Sequence, residues 1–320
     1  MGTHAERADI EDVALAAPLP VGAGLVPVRR FLLDCADSAG GTLTDEQRVF
    51  LRAGRQALLT GSGWVQYGLS LAGCRPAPSL YAALGDLATT VLHGGQATQF
   101  AFVHKPPGLR IRFEPAPGER DELRGQVRAA CERWQRDNLV GTVTEPCYEP
   151  ETALFGGPAS LTHVHRLFTT DSLFWLECHA APGEPAWARS LPVLAELFAG
   201  LGVVGWEDLD VWDRVRVQCR RGLPSEVTGS AAFRHAADGV RAAWAQSRES
   251  AGHLGVRALA DTWRREYLDT GEAWLGPREA AALVTIFHWN RGGLDPLRQG
   301  LLTEALADRA AALGIPAVRS

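Results

Sequence analysis

Lysine is almost absent from this sequence of 320 residues: Lys105 is the only one, and arginine supplies the other basic side chains. The formal net charge is −5, whereas nucleic-acid-binding domains normally carry a basic surplus. The chain has no run of about 18 apolar residues, and its first residues, MGTHAERADIEDV, lack the basic-then-apolar order of a secretion signal. We therefore expect a cytoplasmic protein that neither binds nucleic acid nor spans a membrane.

The signatures of common catalytic and metal-binding families are also missing. The six cysteines are widely scattered, and no pair has the C-x-x-C spacing of a zinc knuckle or a redox pair. The sequence contains no Walker loop, no G-x-G-x-x-G, no G-x-S-x-G and no H-E-x-x-H. His163 and His165 are two residues apart, which is not the spacing of a metal-binding pair on a helix. We expect reduced cysteines, no metal site and no cofactor.

Hydrophobic patterning predicts an α+β protein with a strand-rich N-terminal half and a helical C-terminal half. Residues 64–71, WVQYGLSL, alternate in polarity as a strand does, and the strand-like runs Phe100–His104 and Leu109–Phe113 flank the turn sequence KPPG. Residues 142–144 and the run LFWLECH (173–179) are also predicted as strands. The segments with helical spacing are Val28–Cys35, Asp45–Leu59, Ser79–His93, Gly118–Gln135, Ser160–Phe168, Leu191–Leu201, Glu207–Val217, Ala231–Gln246, Ala258–Tyr267 and Arg278–Trp289.

The domain organisation follows from where the composition changes. Residues 1–25 are rich in Ala, Pro and Gly and are expected to be a loosely attached lead-in. Beyond them no internal repeat, charge block or long linker occurs. We therefore expect residues 26–320 to form a single α+β catalytic domain.

The segment FAFVHKPPGLRIRF (100–113) places three basic residues close together. Arg110 and Arg112 alternate with apolar residues, so both project from one face of the second strand, near Lys105 in the turn. One interpretation is a basic lip that holds carboxylates or carbonyl oxygens of a peptide, because arginine offers a rigid fork of donors. The other interpretation is a sheet edge with exposed arginines.

The segment LVTIFHWNRGGLD (283–295) is dense in polar side chains at the end of a predicted helix. His288 and Arg291 lie on one stripe, and Asn290 lies on the neighbouring one. These residues would fit a capped helix end, where His and Arg interact with the helix dipole. Against that interpretation, Trp289 and Asn290 are costly to bury without partners.

The loop PCYEPETALFGG (146–157) carries Tyr148, Glu149 and Glu151. Loops of this kind often hold binding groups, and the two carboxylates could orient basic groups such as Arg110, or be solvated. His179 follows Asp171-Ser172 at the end of the apolar run 173–179, where it is either structural or a proton-transfer group.

Five motifs occur in a fixed order along the chain. They are W-x-x-Y-G-L, F-x-x-K-P-P-G-L-R-I-R-F, Y-E-P-E-T-x-x-F-G-G, L-F-x-x-D-S and F-H-W-N-R-G-G-L, and they begin at Trp64, Phe102, Tyr148, Leu167 and Phe287. From about Trp64 to the C-terminus, the sequence resembles thiopeptide-type biosynthesis proteins related to the C-terminal elimination domain of lantibiotic dehydratases. The resemblance implies the α+β fold of that domain.

The resemblance implies one of two activities. Eliminases remove glutamate from glutamylated Ser or Thr and leave dehydroalanine or dehydrobutyrine. Thiopeptide pyridine synthases join two dehydroalanines of a thiazole-bearing precursor peptide in a formal [4+2] aza-cycloaddition, with loss of water and of the leader peptide, and so close a macrocycle.

Departures from the eliminase pattern favour the pyridine synthase. Leu154 stands where eliminases typically carry an arginine that helps to hold the leaving glutamate, and residues 286–291 read I-F-H-W-N-R in place of H-M-x-x-N-R. The implied partners are the modified precursor peptide, with leader and core, and other thiopeptide biosynthetic enzymes. A glutamate-eliminating dehydratase component and a non-catalytic scaffold that binds the precursor peptide stay as alternatives.

For cyclisation, the amide before one dehydroalanine has to reach its iminol form, which requires a proton donor and a proton acceptor. Both dehydroalanines also have to be held at reacting distance. The candidate proton carriers are His288, Tyr67, Tyr148 and His179. The candidate peptide-binding residues are Lys105, Arg110, Arg112, Trp64, Glu149, Glu151, Phe287, Trp289, Asn290 and Arg291, with the aromatic ones stacking on thiazoles.

Overall fold

The computed structural model describes residues 18–21, 24–37, 43–48, 50, 63–73, 76–249, 255–271 and 273–308. The chain divides into two compact units, residues 1–62 and 63–320. Most of the expected lead-in, and most of the predicted helix Asp45–Leu59, lie outside the described residues. The expectation of one catalytic domain over residues 26–320 stays a prediction.

Within its described residues, the first unit contains a short antiparallel hairpin of strands β1 (Pro18–Val21) and β2 (Gly24–Pro27). Helix α1 (Val28–Asp37) follows, at the position that the sequence predicted. Residues 45–48 and 50 are also helical. The rings of Phe31 and Phe50 are 5.0 Å apart in an edge-to-face arrangement, so an aromatic contact packs this unit.

The second unit contains a four-stranded antiparallel sheet, whose strands are β3 (Val65–Leu71), β4 (Ala97–Lys105), β5 (Gly108–Pro115) and β6 (Val140–Thr144). Its described helices are α2 (Pro78–His93), α3 (Arg120–Arg136), α4 (Pro158–Ala180), α5 (Ala186–Gly200), α6 (Asp208–Val217), α7 (Ser225–Thr228), α8 (Ala231–Glu249), α9 (Val256–Trp263), α10 (Pro277–Arg291) and α11 (Pro296–Leu306). The predicted α+β class is confirmed.

The strands lie in the order β4-β5-β3-β6, and the sheet has an apolar and a polar face. Side chains of the apolar face are buried against α2 and α3; they are Val65, Tyr67, Leu69, Phe100, Phe102, Leu109, Ile111 and Phe113. Arg110 and Arg112 lie on the other face, in register with Gly68 and Gln66 of β3. The predicted alternation in β5 is therefore confirmed.

Strand β4 is at an edge of the sheet, and its outward backbone groups bind side chains of α4 and α10. The Phe100 and Phe102 amides donate to the hydroxyls of Thr169 and Ser172 at 3.0 and 3.3 Å. The Phe102 carbonyl accepts from Nε of Arg291 at 3.1 Å. An edge strand without such cover would be open to pairing with other chains. The same bonds fix α4 and α10 against β4 and bring their polar side chains together.

Helix α4 is a single helix of 23 residues, so the predicted strand at residues 173–179 is wrong. Its first half, with Val164 and Phe168, belongs to the core of the helical region. Its second half, with Trp175 and Leu176, is also part of the core of the sheet. Because α4 is buried on two sides, its sequence lacks a single apolar stripe, and a short continuous apolar run cannot be told from a strand by its periodicity.

The helical core gathers large aromatic side chains whose polar atoms are bonded. Trp263 donates its indole N–H to Ser160 at 2.9 Å, and Trp289 donates to Ser190 at 3.2 Å. Both indoles are completely buried. A satisfied N–H lets a Trp contribute its large apolar surface to a core without an unpaired donor.

None of the described helices combines the length and the apolar content that crossing a bilayer requires.

Candidate active site

Three titratable side chains meet behind the edge strand β4, where α4 packs against α10. Asp171 of α4 accepts from Nη1 of Arg291 at 2.8 Å through Oδ2, and its Oδ1 is 2.5 Å from Nδ1 of His288. His288 and Arg291 are three residues apart on α10, so both reach the same carboxylate. Both are only 1% exposed. Buried charges of this kind are tolerated when they are paired and hydrogen-bonded.

The charge state of this network follows from its contacts. Burial alone would raise the pKa of Asp171, but His288 and Arg291 beside it hold that pKa below its ordinary value. Burial lowers the pKa of Arg291, and Asp171 acts in the opposite direction. The Arg291 guanidinium also lies 3.9 Å above the ring of Phe168. Asp171 is therefore a carboxylate at neutral pH, hydrogen-bonded to the buried guanidinium of Arg291.

The two ring nitrogens of His288 have different surroundings. Its Nδ1 faces the carboxylate of Asp171, and the indole nitrogen of Trp175 is 3.1 Å from the same atom. Its Nε2 is buried and has no hydrogen-bond partner among the described residues. With the proton on Nδ1, Asp171 accepts from it and Nε2 is an acceptor in the neutral imidazole; with the proton on Nε2, Nδ1 accepts from the Trp175 indole N–H instead.

A second pair joins the loop after β6 to α4. The hydroxyl of Tyr148 and Nε2 of His165 are 2.9 Å apart, and Trp64 lies beside both, with ring centroids at 5.1 and 4.5 Å. Burial raises the pKa of Tyr148. Burial, together with the charges of Arg112 and Arg291, lowers the pKa of His165 to about 4. Both members of the pair are therefore neutral at pH 7.

Arg112 connects the polar face of the sheet with this pair. Its Nε donates to Gln66 at 2.7 Å, and its guanidinium carbon is 4.5 Å from the centroid of the Tyr148 ring. Gln66 in turn donates to the carbonyls of Pro146 and Cys147, which holds the start of the Tyr148 loop on the sheet. Arg112 is 7% exposed and forms no salt bridge with a residue that the structure describes. Its charge therefore acts on the Tyr–His pair.

Two further histidines hold the end of α10. A ring nitrogen of His104 is 2.9 Å from the carbonyl of Asn290, and one of His179 is 2.7 Å from the carbonyl of Arg291. Tyr81 contacts both, with its hydroxyl 2.7 Å from His104 and its ring stacked at 4.4 Å on His179. The last carbonyls of a helix lack partners within it, so these contacts cap α10. The structure thus places His179 in a cap, and its role in proton transfer stays a prediction.

The other predicted residues of α10 lie apart from the Asp171 network. Phe287 packs with the rings of Phe155 and Phe168, at 5.3 and 5.2 Å. Trp289 is 0% exposed and belongs to the helical core, which leaves no surface for stacking on a substrate ring. The side chain of Asn290 accepts from Gln299 at 3.0 Å. Only His288 and Arg291 of this group reach the buried Asp171.

Tyr67 lies on the apolar face of the sheet, whereas Gln66 and Arg112 are on the polar face. It is 2% exposed; burial raises the pKa of its hydroxyl, and Arg128 acts in the opposite direction. The structure therefore does not bring Tyr67 to the Tyr148–His165 pair.

The remaining predicted residues are at the surface. Glu149 is exposed and Glu151 half-buried on the Tyr148 loop, and the charge of Glu151 raises the pKa of Tyr148. Lys105 and Arg110 line a surface cleft of about 330 Å³ beside the β4–β5 turn.

Sequence reasoning missed the two α4 residues at the centre of this arrangement, Asp171 and His165. His165 shares one helical face with Thr169, Ser172 and His179, at intervals of four, three and seven residues, and Asp171 lies on the neighbouring face. That face is visible only when residues 158–180 are recognised as a single helix. The predicted break near residue 168 concealed it.

The two glycines after Arg291 serve different purposes. A Cβ at Gly292 would lie 2.6 Å from the ring of Trp175, so only glycine leaves room for that ring. Gly293 has a φ of +68°, the left-handed conformation that commonly ends a helix. Space is required at the first position and backbone freedom at the second.

The arrangement suits proton movement and the stabilisation of negative charge on oxygen. A neutral Tyr–His pair can exchange a proton in either direction, and a carboxylate-oriented imidazole can act as a base. Arg112 adds positive charge nearby. Within the described part of the chain, no three His, Cys, Asp and Glu side chains are grouped as metal ligands would be.

Two solved structures match this chain at low identity, and the first of them shares its fold. The pyridine synthase TbtD, from thiomuracin biosynthesis, matches 79% of this chain and 99% of its own, with a TM-score of 0.51 and 13% identity. The tRNA-dependent lantibiotic dehydratase MibB from Microbispora sp. 107891 matches 79% of this chain with a TM-score of 0.49 and 19% identity. This chain spans only 28% of the length of that dehydratase.

No curated protein matches the sequence. A sequence model of the lantibiotic biosynthesis dehydratase C-terminal family matches residues 64–311, a stretch that contains all five ordered motifs. Because this match covers more than half of the chain, the protein belongs to the lantibiotic biosynthesis dehydratase C-terminal family.

Proposed function

We propose that this protein forms the central pyridine of a thiopeptide from two dehydroalanines of a thiazole-bearing precursor peptide. The reaction is a formal [4+2] cycloaddition, followed by loss of water and of the leader peptide. The observation that carries the proposal is the neutral Tyr148–His165 pair, hydrogen-bonded at 2.9 Å beside Arg112. Family membership, and a fold shared with a pyridine synthase over 99% of that protein's length, add support.

The first step needs a proton to move without a net change of charge. The amide nitrogen before one dehydroalanine loses a proton and its carbonyl oxygen gains one, which gives the 2-azadiene. A neutral Tyr–His pair suits this exchange, because one member can donate to the oxygen while the other accepts from the nitrogen. Arg112 stabilises the negative charge that develops on the carbonyl oxygen after the nitrogen has lost its proton and before the oxygen has gained one.

The ring then closes by two new C–C bonds, which join the two terminal carbons of the 2-azadiene to the two alkene carbons of the other dehydroalanine. To become aromatic it loses the iminol oxygen as water and the leader as an amide, and each leaving group takes up a proton. His288, oriented by Asp171 with Arg291 fixing the carboxylate, is the proposed carrier for these protons. Because its Nε2 is buried, this role requires that substrate binding opens a path to that atom. Holding both dehydroalanines at reacting distance supplies much of the rate, since orientation is worth roughly 7–11 kcal/mol in favourable cases.

The elimination of glutamate has weaker support. Leu154 is 45% exposed on the Tyr148 loop, at the position where the eliminase pattern has an arginine. An apolar side chain there offers no donor to a departing carboxylate. Arg291 is already bonded to Asp171 at 2.8 Å, so it does not replace the missing arginine.

The direct test is incubation of the purified protein with a bis-dehydroalanine, thiazole-bearing precursor, followed by mass spectrometry. We expect a macrocyclic product together with the released leader amide. Release of glutamate from a glutamylated precursor would instead establish elimination. Tight binding of the precursor without any product would establish a scaffold.

The proton carriers are tested by two variants with matched comparisons. Tyr148→Phe and His165→Gln should each lower the turnover about 10²-fold or more, which is the usual contribution of general acid–base groups. Tyr67→Phe removes a hydroxyl on the other face of the sheet, and His163→Gln removes the neighbouring histidine; both should keep turnover near that of the wild type. Full turnover in Tyr148→Phe would remove that residue from the mechanism.

A further inference from the structure

The polar face of the sheet carries a cleft that the chemistry above does not use. It has a volume of about 330 Å³ and lies between the β4–β5 turn and β6. Lys105 and Arg110 line it together with hydroxyl-bearing residues, and prolines supply apolar surface; these residues are Ser70, Thr142 and Thr144, and Pro106, Pro107 and Pro146. The cleft therefore combines two cations, neutral donors and apolar surface.

The cleft exists because Gly68 has no side chain. Gly68 lies in the middle of β3, in register with Arg110 of β5 on one side and Thr144 of β6 on the other. A Cβ at Gly68 would lie 2.7 Å from Oγ1 of Thr144 and would fill the floor between them. A glycine inside a strand weakens it and often marks a place where a ligand approaches closely.

No residue that the structure describes neutralises either cation. Lys105 is exposed and Arg110 is half-buried, and neither forms a salt bridge with a residue that the structure describes. Arg124 and Arg128, by contrast, share the carboxylate of Glu145 at 2.6 and 3.0 Å. Lys105 and Arg110 are therefore available to an external carboxylate.

The cleft leads toward the Tyr148–His165 pair. Along β5 the next side chain on the same face is Arg112, which contacts the Tyr148 ring. Two residues along a strand span about 7 Å. The cleft is therefore about one such step along β5 from the arginine that contacts the pair.

We propose that this cleft binds a carboxylate-bearing segment of the peptide substrate, with Lys105 and Arg110 on its acidic side chains. The identity of that peptide rests on the proposed function. The mixed lining fits acidic side chains flanked by apolar ones, because charged donors, hydroxyls and apolar walls occur together. A cleft of this volume accepts a few side chains, and the net charge of −5 disfavours a polyanion as the ligand.

The probe is a fluorescein-labelled octapeptide of alternating Leu and Glu, compared with the same peptide carrying Gln for Glu. Fluorescence polarisation with the full chain should show tighter binding of the Glu peptide. The double variant K105Q/R110Q should weaken binding of the Glu peptide about tenfold, as expected for two exposed charge pairs, and leave the Gln peptide unchanged. The matched control R133Q/R136Q removes two exposed arginines of α3, changes the net charge equally, and should bind both peptides as the wild type does.

Equal binding of the Glu peptide by the wild type and K105Q/R110Q would overturn the proposal. An equal loss in R133Q/R136Q would also overturn it, because the effect would then come from net charge. If polyuridylic acid or inorganic phosphate displaced the Glu peptide and itself lost affinity in K105Q/R110Q, the cleft would be a phosphate site instead.

The failure of the two proposals can be told apart. If the wild type makes no pyridine but still prefers the Glu peptide through Lys105 and Arg110, only the proposed function fails. If the protein does cyclise, K105Q/R110Q should raise KM for a precursor with an acidic leader about tenfold and leave kcat unchanged. An unchanged KM would overturn the cleft proposal and leave the proposed function intact.

Discussion

Replacing Asp171 by Asn should destabilise the fold strongly, although the shape of the side chain hardly changes. The substitution removes the negative charge that is 2.8 Å from Arg291, a guanidinium with 1% exposure. A buried cation left without its partner typically costs about 3–5 kcal/mol of unfolding free energy. Arg291 keeps its bond to the Phe102 carbonyl and its contact with the Phe168 ring, so we expect the lower end, about 3 kcal/mol.

The assay is urea unfolding followed by circular dichroism. The m value, which is the slope of the unfolding free energy against urea concentration, should be the same for the proteins compared. The matched control is Asp261→Asn, because Asp261 pairs with Arg264 and Arg265 at 2.7 and 2.8 Å in a solvent-accessible position. Surface pairs of this kind contribute about 1 kcal/mol or less. If Asp171→Asn cost no more than Asp261→Asn, the account of the buried network would be refuted.

Two further measurements separate charge from packing at Asp171. The double variant Asp171→Leu with Arg291→Met removes both charges and should recover most of the lost stability, but not the activity. The pKa of Asp171 is held below its ordinary value, so its stabilisation is fully present above about pH 4 and is lost as the pH falls through the folded-state pKa. Asp171→Asn should lack this part of the acid dependence.

Three other outcomes are expected. The pKa of His165 is lowered to about 4, so as the pH falls the unfolded state takes up a proton before the folded state does, and the unfolding free energy should fall between about pH 6.5 and 4. His165→Gln should reduce this dependence of the unfolding free energy on pH, measured by urea titrations, and an unchanged dependence would contradict the assignment. Gly156→Ala should cost about 1–3 kcal/mol, because φ is +86° and the new Cβ would lie 2.3 Å from Leu275; an unchanged Tm would refute this. Ser190→Ala leaves the buried Trp289 N–H unpaired and should cost about 1–3 kcal/mol in the same unfolding assay, whereas a neutral effect would show that the bond is not needed.

The strands were predicted from sequence because each has one buried and one polar face. The alternation in residues 64–71 and 109–113 and the turn at KPPG determine β3, β4 and β5 to within a few residues. Amphipathic helices such as α3 were found for the same reason. Helix α11 was not predicted, and the five-residue π-helical segment Arg264–Leu268 was included in a longer helix.

The site was predicted less completely than the fold. Tyr148, Arg112, His288 and Arg291 were found because they belong to motifs that the sequence displays. Asp171 also belongs to a motif, L-F-x-x-D-S, but it and His165 were not recognised as partners of these residues. Both come from α4, which packs on two cores, so local periodicity did not show where its polar side chains point. Tyr67 belongs to a motif as well, but alternation along β3 places its side chain on the apolar face.

The close approach of Gly292 to the ring of Trp175 has a consequence for other members of the family. A side chain at the first glycine is compatible only with a smaller residue in place of the indole, since the Cβ would lie 2.6 Å from the ring. The two positions should therefore covary, although they are more than a hundred residues apart. Sequences with glycine at the first position and tryptophan at the second would also keep the indole N–H beside the His288 imidazole. A family alignment could use this pair to separate members that share the geometry of this site from those that share only its fold.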